Sequence, residues 1–409
     1  MKPKTYKQRK PSDSNLTKGP VVPLSAPGQS PFPPAWVWLV DEAIPTLVKK
    51  KYSPRESWKD KPFTKDDAIF FFKGIEGLSD LFTDERPKGM PSYFQHEKYR
   101  SSYLLYFVPL QAAKFLSLYR MHPQAIEAAL HHGMKQGVLR IADLGAGPGT
   151  ASISFLLLLL TLKLAPGQEL PPVELEWFDT NADTMEDGRE IVEQLSNSFP
   201  KLRGKVTIKT HVLPWWKAPA QVAGELSMTF IGHVFNESTA PQNEFETFWD
   251  ALFSRVSGGG LLMVEPAARR SSQILSQFRD DFFENGLFDR SPTRIWGPCL
   301  HAQACPLAHG RDWCHFSVPT YIPGKWFKGF SQALGSERQW LKFSYIWMAS
   351  SAYPSPEPDP MLRRVISDSL SQGPTATFLI CEPEVPGRHS IPASAGVCRG
   401  DLVKKQAER

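Results

Sequence analysis

The sequence predicts a doubly wound α/β domain, preceded by a helical region and followed by a cysteine-rich extension. Three observations carry this. Residues 138–144 read as a short apolar strand running into Gly145, Gly147 and Gly149, and an apolar helix opens at Ala151. Strand-like and helix-like stretches then alternate as far as residue 264, the pattern of a parallel sheet with crossover helices. Cys299, Cys305 and Cys314 follow on one Gly/Pro-rich loop, a concentration of thiols that core packing does not explain.

Composition bounds the reading. The chain has 409 residues, enough for two or three domains, and its 41% hydrophobic content supports a substantial core. Thirty-seven prolines imply Pro-rich linkers, and a net charge of +5 leaves any nucleic-acid role to local basic patches. Five cysteines in such a length are not a disulfide scaffold. Their clustering points to a metal in a reducing compartment. The longest apolar run, residues 155–162, is far short of a membrane span, so no membrane role is expected. The first ten residues lack a secretory core. Cytoplasm is the default, with the mitochondrial matrix as alternative, since Pro3 and Pro11 disfavour an amphipathic presequence.

Residues 1–35 carry Lys2, Lys4, Lys7, Arg9, Lys10 and Lys18 against Asp13, followed by prolines and serines, and read as a disordered basic arm. Such an arm is either a solvated tail or a contact for RNA phosphates. Residues 36–137 read as a helical domain. One helix runs over 36–51, and a second starts at Thr64, a suitable N-cap with Asp66 and Asp67 in the first turn. Two more cover 99–119 and 123–135, with Pro123 in the first turn of the last.

Residues 138–290 form the α/β core. The spacing Asp143-x-Gly145-x-Gly147-x-Gly149 differs from that of dinucleotide sites. An acid two residues before the first glycine suits an ammonium group and repels a pyrophosphate, and S-adenosylmethionine carries the matching charges. Strand 173–178 ends at Asp179, placed either to receive ribose hydroxyls or to cap the helix beginning near Ala182. Strand 206–212 runs into Trp215 and Trp216, which either stack on an adenine or pack. Strand 226–234 ends in His233-Val-Phe-Asn236-Glu237, and strand 259–264 precedes Glu265. All lie at carboxyl strand ends, where ligands of doubly wound sheets bind.

Residues 291–350 are the metal-binding segment and residues 351–409 a small C-terminal sheet with a basic tail. Cys299, Cys305 and Cys314 need a fourth ligand for a tetrahedral site. Cys381, after the strand-like 375–380, is the first choice, with Cys398, His301, His309 and His315 as alternatives. Zinc and an iron–sulfur cluster both remain open on spacing alone. Basic residues interleaved with aromatics after residue 321 form either a solvated face or an RNA contact.

Together, Asp143-Leu-Gly-Ala-Gly-Pro-Gly-Thr150, Val234-Phe-Asn-Glu237, Val264-Glu-Pro266 and the Cys299–Cys314 segment resemble the methyltransferase-like family associated with the mitochondrial ribosomal small subunit, whose relatives also occur in bacteria. The resemblance spans roughly residues 95–402. It implies a class I methyltransferase (Rossmann-like) fold that binds S-adenosylmethionine, with Asp143, the three glycines and Asp179 on the cofactor. It also implies contact with small-subunit rRNA and a [4Fe–4S] cluster on Cys299, Cys305, Cys314 and Cys381. The Asn/Asp-Pro-Pro-aromatic acceptor loop of base methyltransferases is replaced here by His233-Val-Phe-Asn-Glu237, leaving His233 and Glu237 as catalytic candidates. An rRNA methyltransferase and a non-catalytic, metal-stabilised assembly factor are the two functional expectations.

Overall fold

The computed structural model describes residues 16–18, 34–83, 93–163, 169–235, 242–284, 295–319, 322–335, 340–350, 352–371, 373–383 and 385–405. Its strands are β1 (Leu16–Lys18), β2 (Leu139–Leu144), β3 (Val173–Asp179), β4 (Val206–Val212), β5 (Met228–Gly232), β6 (Leu261–Pro266) and β7 (Ile295–Gly297). They continue with β8 (Phe316–Pro319), β9 (Trp340–Met348), β10 (Leu362–Val365), β11 (Thr375–Cys381), β12 (Gly387–Pro392) and β13 (Leu402–Lys405). Two compact units divide the chain: Leu24–Met263 with Val318–Leu341, and Met1–Pro23 with Val264–Ser317 and Lys342–Arg409. The larger of the two sheets has eight strands among the described residues. Its order is β4-β3-β2-β5-β6-β9-β7, with β8 beside β9.

In the larger unit, β2 pairs parallel with β3 and with β5, and β3 with β4. The helix Thr150–Thr161 is buried on nearly every side, including Leu156 to Leu159. Each such leucine contributes about 1.5–3 kcal/mol. The helix Ala182–Ser198 is amphipathic and buries Met185, Ile191, Val192 and Leu195.

The helical region differs from expectation in one repeated way. The helix expected over 36–51 is Pro34–Trp38 and Ile44–Tyr52 joined by a π turn, Leu39–Ala43. The helix expected over 99–119 is Glu97–Ser102 and Val108–Met121 joined by a second π turn, Tyr103–Phe107. Both π turns end two residues before a proline, Pro45 or Pro109. Proline has no N–H to close an α turn, and the wide turn absorbs that missing bond. Thr64 caps as expected: its Oγ1 accepts from Asp67 N–H, while Asp67 Oδ2 accepts from Thr64 N–H at 2.7 Å. Lys49 is 3% exposed and pairs with Asp67 at 2.5 Å, so one lysine of the basic run is a core residue.

In the smaller unit a five-stranded sheet has the order β1-β13-β10-β11-β12. Along β11, Ala376, Phe378 and Ile380 alternate inward and meet Val365, Ile391 and Val403. Leu16–Lys18 lies within the arm expected to be disordered; it is a strand, pairing antiparallel with β13. The rest of residues 1–33 lies outside the described residues. No helix among the described residues is long and apolar enough to cross a membrane.

Candidate functional site

The glycine loop joins β2 to the helix Thr150–Thr161. Gly145, Gly147 and Gly149 all have positive φ, at 71°, 51° and 68°. A side chain at Gly149 would also overlap the ring of Trp177, so the loop is pressed onto β3. Gly147 is the open position: a Cβ there would meet only Phe94 and Thr184, at 3.5 Å or more. Gly188 approaches the loop from the helix Ala182–Ser198 so closely that a Cβ would overlap the carbonyl of Pro148. The helix N-terminus is thereby held against the loop.

Asp143 is 3% exposed at the end of β2. Its Oδ2 accepts from Ser152 N–H (3.1 Å) and Ser152 Oγ–H (2.8 Å), and Ser152 Oγ accepts from Trp177 Nε1–H (3.0 Å). Burial raises its pKa to about 7; the Ser152 hydrogen bonds oppose this and the nearby Asp179 adds to it. Asp179, at the end of β3, accepts from Gly147 N–H through Oδ2 (2.9 Å) and from Asn181 N–H through Oδ1 (2.9 Å), and burial raises its pKa too. The helix cap is Asn181, whose side chain accepts from Thr184 N–H. The structure thus brings Asp143, Asp179 and the three glycines together, with Asp179 bonded to the loop at Gly147 and Asp143 to the first turn of the helix that follows it. A carboxyl whose ionisation is hindered by burial and by a neighbouring acid is relieved by a cation, and Asp143 is in that position. The donor set fits S-adenosylmethionine.

His233 follows β5 with φ 62°, the one non-glycine residue with positive φ among those described. Such a conformation costs about 1–3 kcal/mol and concentrates at functional sites. Val234 stands where a Cβ on Gly145 would be. Asn236 and Glu237 lie outside the described residues. Glu265 is fully buried at the end of β6. Trp215 is 5% exposed and packs edge-on against Phe248 at 5.0 Å, which decides for packing.

The cysteine site lies in the smaller unit. Cys299, Cys305 and Cys314 are on the loop between β7 and β8, and Cys381 ends β11. The helix Arg269–Glu284 binds that loop along one face. Gln273 Nε2 donates to Gly310 O (2.8 Å), Asp280 accepts from Cys305 N–H (2.8 and 2.9 Å), and Arg279 donates to Gln303 O (2.5 Å) and His301 O. Cys314 lies well above its usual value, through burial first and then the three other cysteines near it. Cys305 is pushed to about 11 and Cys381 to about 12, again by burial first. His301 Nε2 is 3.4 Å from Cys381 Sγ. Cys398 is exposed, with its thiol directed to Gly396 O. His315 lies against Trp313 and Arg399.

Among the described residues, no three Cys, His, Asp or Glu side chains already stand around one point as metal ligands. The thiols are near enough to feel one another's charge and not near enough to coordinate. Four half-buried cysteines near the guanidiniums of Arg279 and Arg364 have the donor chemistry of an anionic metal–thiolate centre. A cavity of about 240 Å³ lined by Phe283, Cys299, His301, Ser355 and Glu357, among others, opens beside Cys299.

Ser152, Gly188, Arg279, Asp280 and Arg364 were not legible as site residues. The one signal was the spacing on helix 269–284, where Ser272, Ser276, Arg279 and Asp280 repeat at helical intervals on a side that ought to be apolar.

The parallel core, the late β9 inserted between β6 and β7, and the glycine loop define a class I methyltransferase-like protein of Rossmann type. The family described as mitochondrial small ribosomal subunit Rsm22 matches residues 177–391, more than half of the sequence, and the chain belongs to it. Solved structures similar to the chain include an rRNA methylase from Streptococcus thermophilus, 9% identical over 52% of this chain and 86% of its own, with a TM-score of 0.27. An O-methyltransferase family protein from Burkholderia thailandensis is 13% identical over 72% of this chain and 75% of its own, with a TM-score of 0.30. A putative methyltransferase from Streptococcus mutans in complex with SAH is 13% identical over 40% and 82%, with a TM-score of 0.26. No match was found among curated proteins.

Proposed function

We propose that this chain is a methyltransferase-like factor of the ribosomal small subunit that binds S-adenosylmethionine at the glycine loop and acts on, or holds, small-subunit rRNA. The observation that carries the cofactor reading is the buried Asp143 beside Asp179, with Asp179 on the Gly147 amide of the glycine loop: an acidic site that an ammonium or sulfonium group relieves. Asp143 would face the amino-acid end and Asp179 the ribose side, while the glycine amides and the helix N-terminus hold the rest. When bound, the cofactor supplies an electrophilic methyl group. The chain's own part is to orient it, and His233 and Glu237 are the candidates for handling a proton at the acceptor.

The second site is a metal centre on Cys299, Cys305, Cys314 and Cys381. A [4Fe–4S] cluster is favoured over zinc by the family resemblance, and the wide spacing of the cysteines is compatible with it. Its role in this reading is to staple the loop between β7 and β8 to β11. Membership of a mitochondrial small-subunit family favours the mitochondrial matrix over the cytoplasm.

A second reading, a non-catalytic assembly factor, is favoured by one feature. The segment after β5 carries His233-Val234-Phe235 in place of an amide-Pro-Pro acceptor loop, with Val234 packed at Gly145.

The test is anaerobic purification with an absorbance spectrum, iron, sulfide and zinc analysis, then calorimetric titration with S-adenosylmethionine. About four irons and sulfides per chain with cofactor binding support the proposal, and methyl transfer to small-subunit rRNA then separates the two readings. Loss of the chromophore in Cys305→Ser is expected. Unchanged metal content in that variant, or no cofactor binding by the wild type, overturns the corresponding assignment.

A further inference from the structure

We infer that Arg279 and Arg364 are the charge-compensating residues of the cysteine centre, holding its ligand loops and setting the reduction potential of its cluster. The inference rests on the cluster reading above. Arg279 is 1% exposed and Arg364 is 8% exposed. A buried guanidinium is strongly unfavourable unless an anion answers it. Arg279 has one carboxylate, Asp280, whose oxygens are shared with the Cys305 amide. Arg364 has no carboxylate partner among the described residues. It donates to Pro298 O (2.7 Å) and Gly400 O (2.7 Å), both neutral.

Both cations stand at the ligand segments. Arg364 lies opposite Cys381 in the β10–β11 pairing. Arg279 reaches the cysteine loop through its bonds to His301 O and Gln303 O. Their carbonyl partners flank the ligands: Pro298 precedes Cys299, and His301 and Gln303 lie between Cys299 and Cys305. Four thiolates around an oxidised cubane make a dianion, and adding an electron makes it more negative. Two buried guanidiniums balance the first state and ease the second, while Asp280 opposes both. Charge near a cluster and hydrogen bonding to its surroundings are the protein's means of tuning its potential.

The test uses the full chain, purified anaerobically, with midpoint potential by spectroscopic redox titration and iron content as readouts. Arg364→Gln should shift the midpoint to more negative values, and Arg364→Lys, which keeps the charge, should stay near wild type. Asp280→Asn should shift it the opposite way, a reversal that loosened packing alone does not produce. Where Arg279→Gln loses its cluster on purification, the Arg364 and Asp280 variants still decide the matter. Equal midpoints in all variants that retain four irons, or shifts of one sign in both Arg364→Gln and Asp280→Asn, overturn the inference. A wild-type protein without iron and sulfide overturns the cluster reading itself, a result visible before any variant is made.

Discussion

Asp143→Asn is expected to stabilise the ligand-free protein above neutral pH while weakening its hold on a cationic ligand. Asp143 is 3% exposed, and its pKa rises from 3.8 to about 7, mainly through burial. For a carboxyl raised on folding, the contribution to stability is complete below the unfolded value and is lost as pH rises through the folded one. At 1.36 kcal/mol per pKa unit, ionising Asp143 in the folded state costs on the order of 4 kcal/mol at pH 8. The window from pH 5 to 8 contains roughly half or more of that loss. An asparagine fills the same volume, offers Oδ1 to the Ser152 donors, and never ionises. The advantage of Asp143→Asn over wild type should therefore grow by about 2–3 kcal/mol between pH 5 and 8, read from denaturant midpoints at each pH. A cation against Asp143 reverses the preference, because it stabilises the ionised form. S-adenosylmethionine should then bind wild type with release of a proton below pH 7, seen as buffer-dependent calorimetric heats, and should bind the variant without one. A penalty for Asp143→Asn that is constant from pH 5 to 8 would refute the reasoning, since it would mean that the carboxylate is already charged and valued for its Ser152 bonds.

Two further outcomes follow from packing. Gly188→Ala places a Cβ on the Pro148 carbonyl and should separate the helix Ala182–Ser198 from the glycine loop. A loss of about 1–3 kcal/mol and at least tenfold weaker cofactor binding are expected, and wild-type affinity would place the ligand elsewhere. Lys49→Met leaves the buried Asp67 carboxylate without its cation and should cost about 3–5 kcal/mol in thermal or denaturant unfolding. Adding Asp67→Asn to that variant should recover much of it, and a double variant no more stable than the single one contradicts the pairing.

The chemistry of the two loops was readable because it depends on residue type at short spacing. Glycines at 145, 147 and 149 dictate positive φ, and Thr64, Pro123 and Gly137 mark helix ends by backbone rules that act within a few residues. The partners of those loops were not readable, because they come from distant positions. Nothing near Asp143 in the sequence says that Ser152 and Trp177 will close a buried chain on it. Arg364 reaches the cysteine loop only because β10 pairs with β11. The π turns were missed for a different reason: the apolar pattern continues through them, and only the prolines that follow betray the extra residue. The β1 strand was missed because basic, Pro-rich sequence around it outweighs three residues of strand.

That short strand has a consequence for how the chain is made. Residue 16 pairs with residue 405, and β13 sits between β1 and β10 and not at an edge. During synthesis β10, β11 and β12 all emerge before the strand that links them to β1. Until β13 arrives, β1 and β10 each present an open edge, the kind of surface that invites pairing with another chain. Closing so long a loop is slow and yields no contact until its final step. The small sheet is therefore the last part of its unit to be completed, and the one whose assembly a holding factor would most protect.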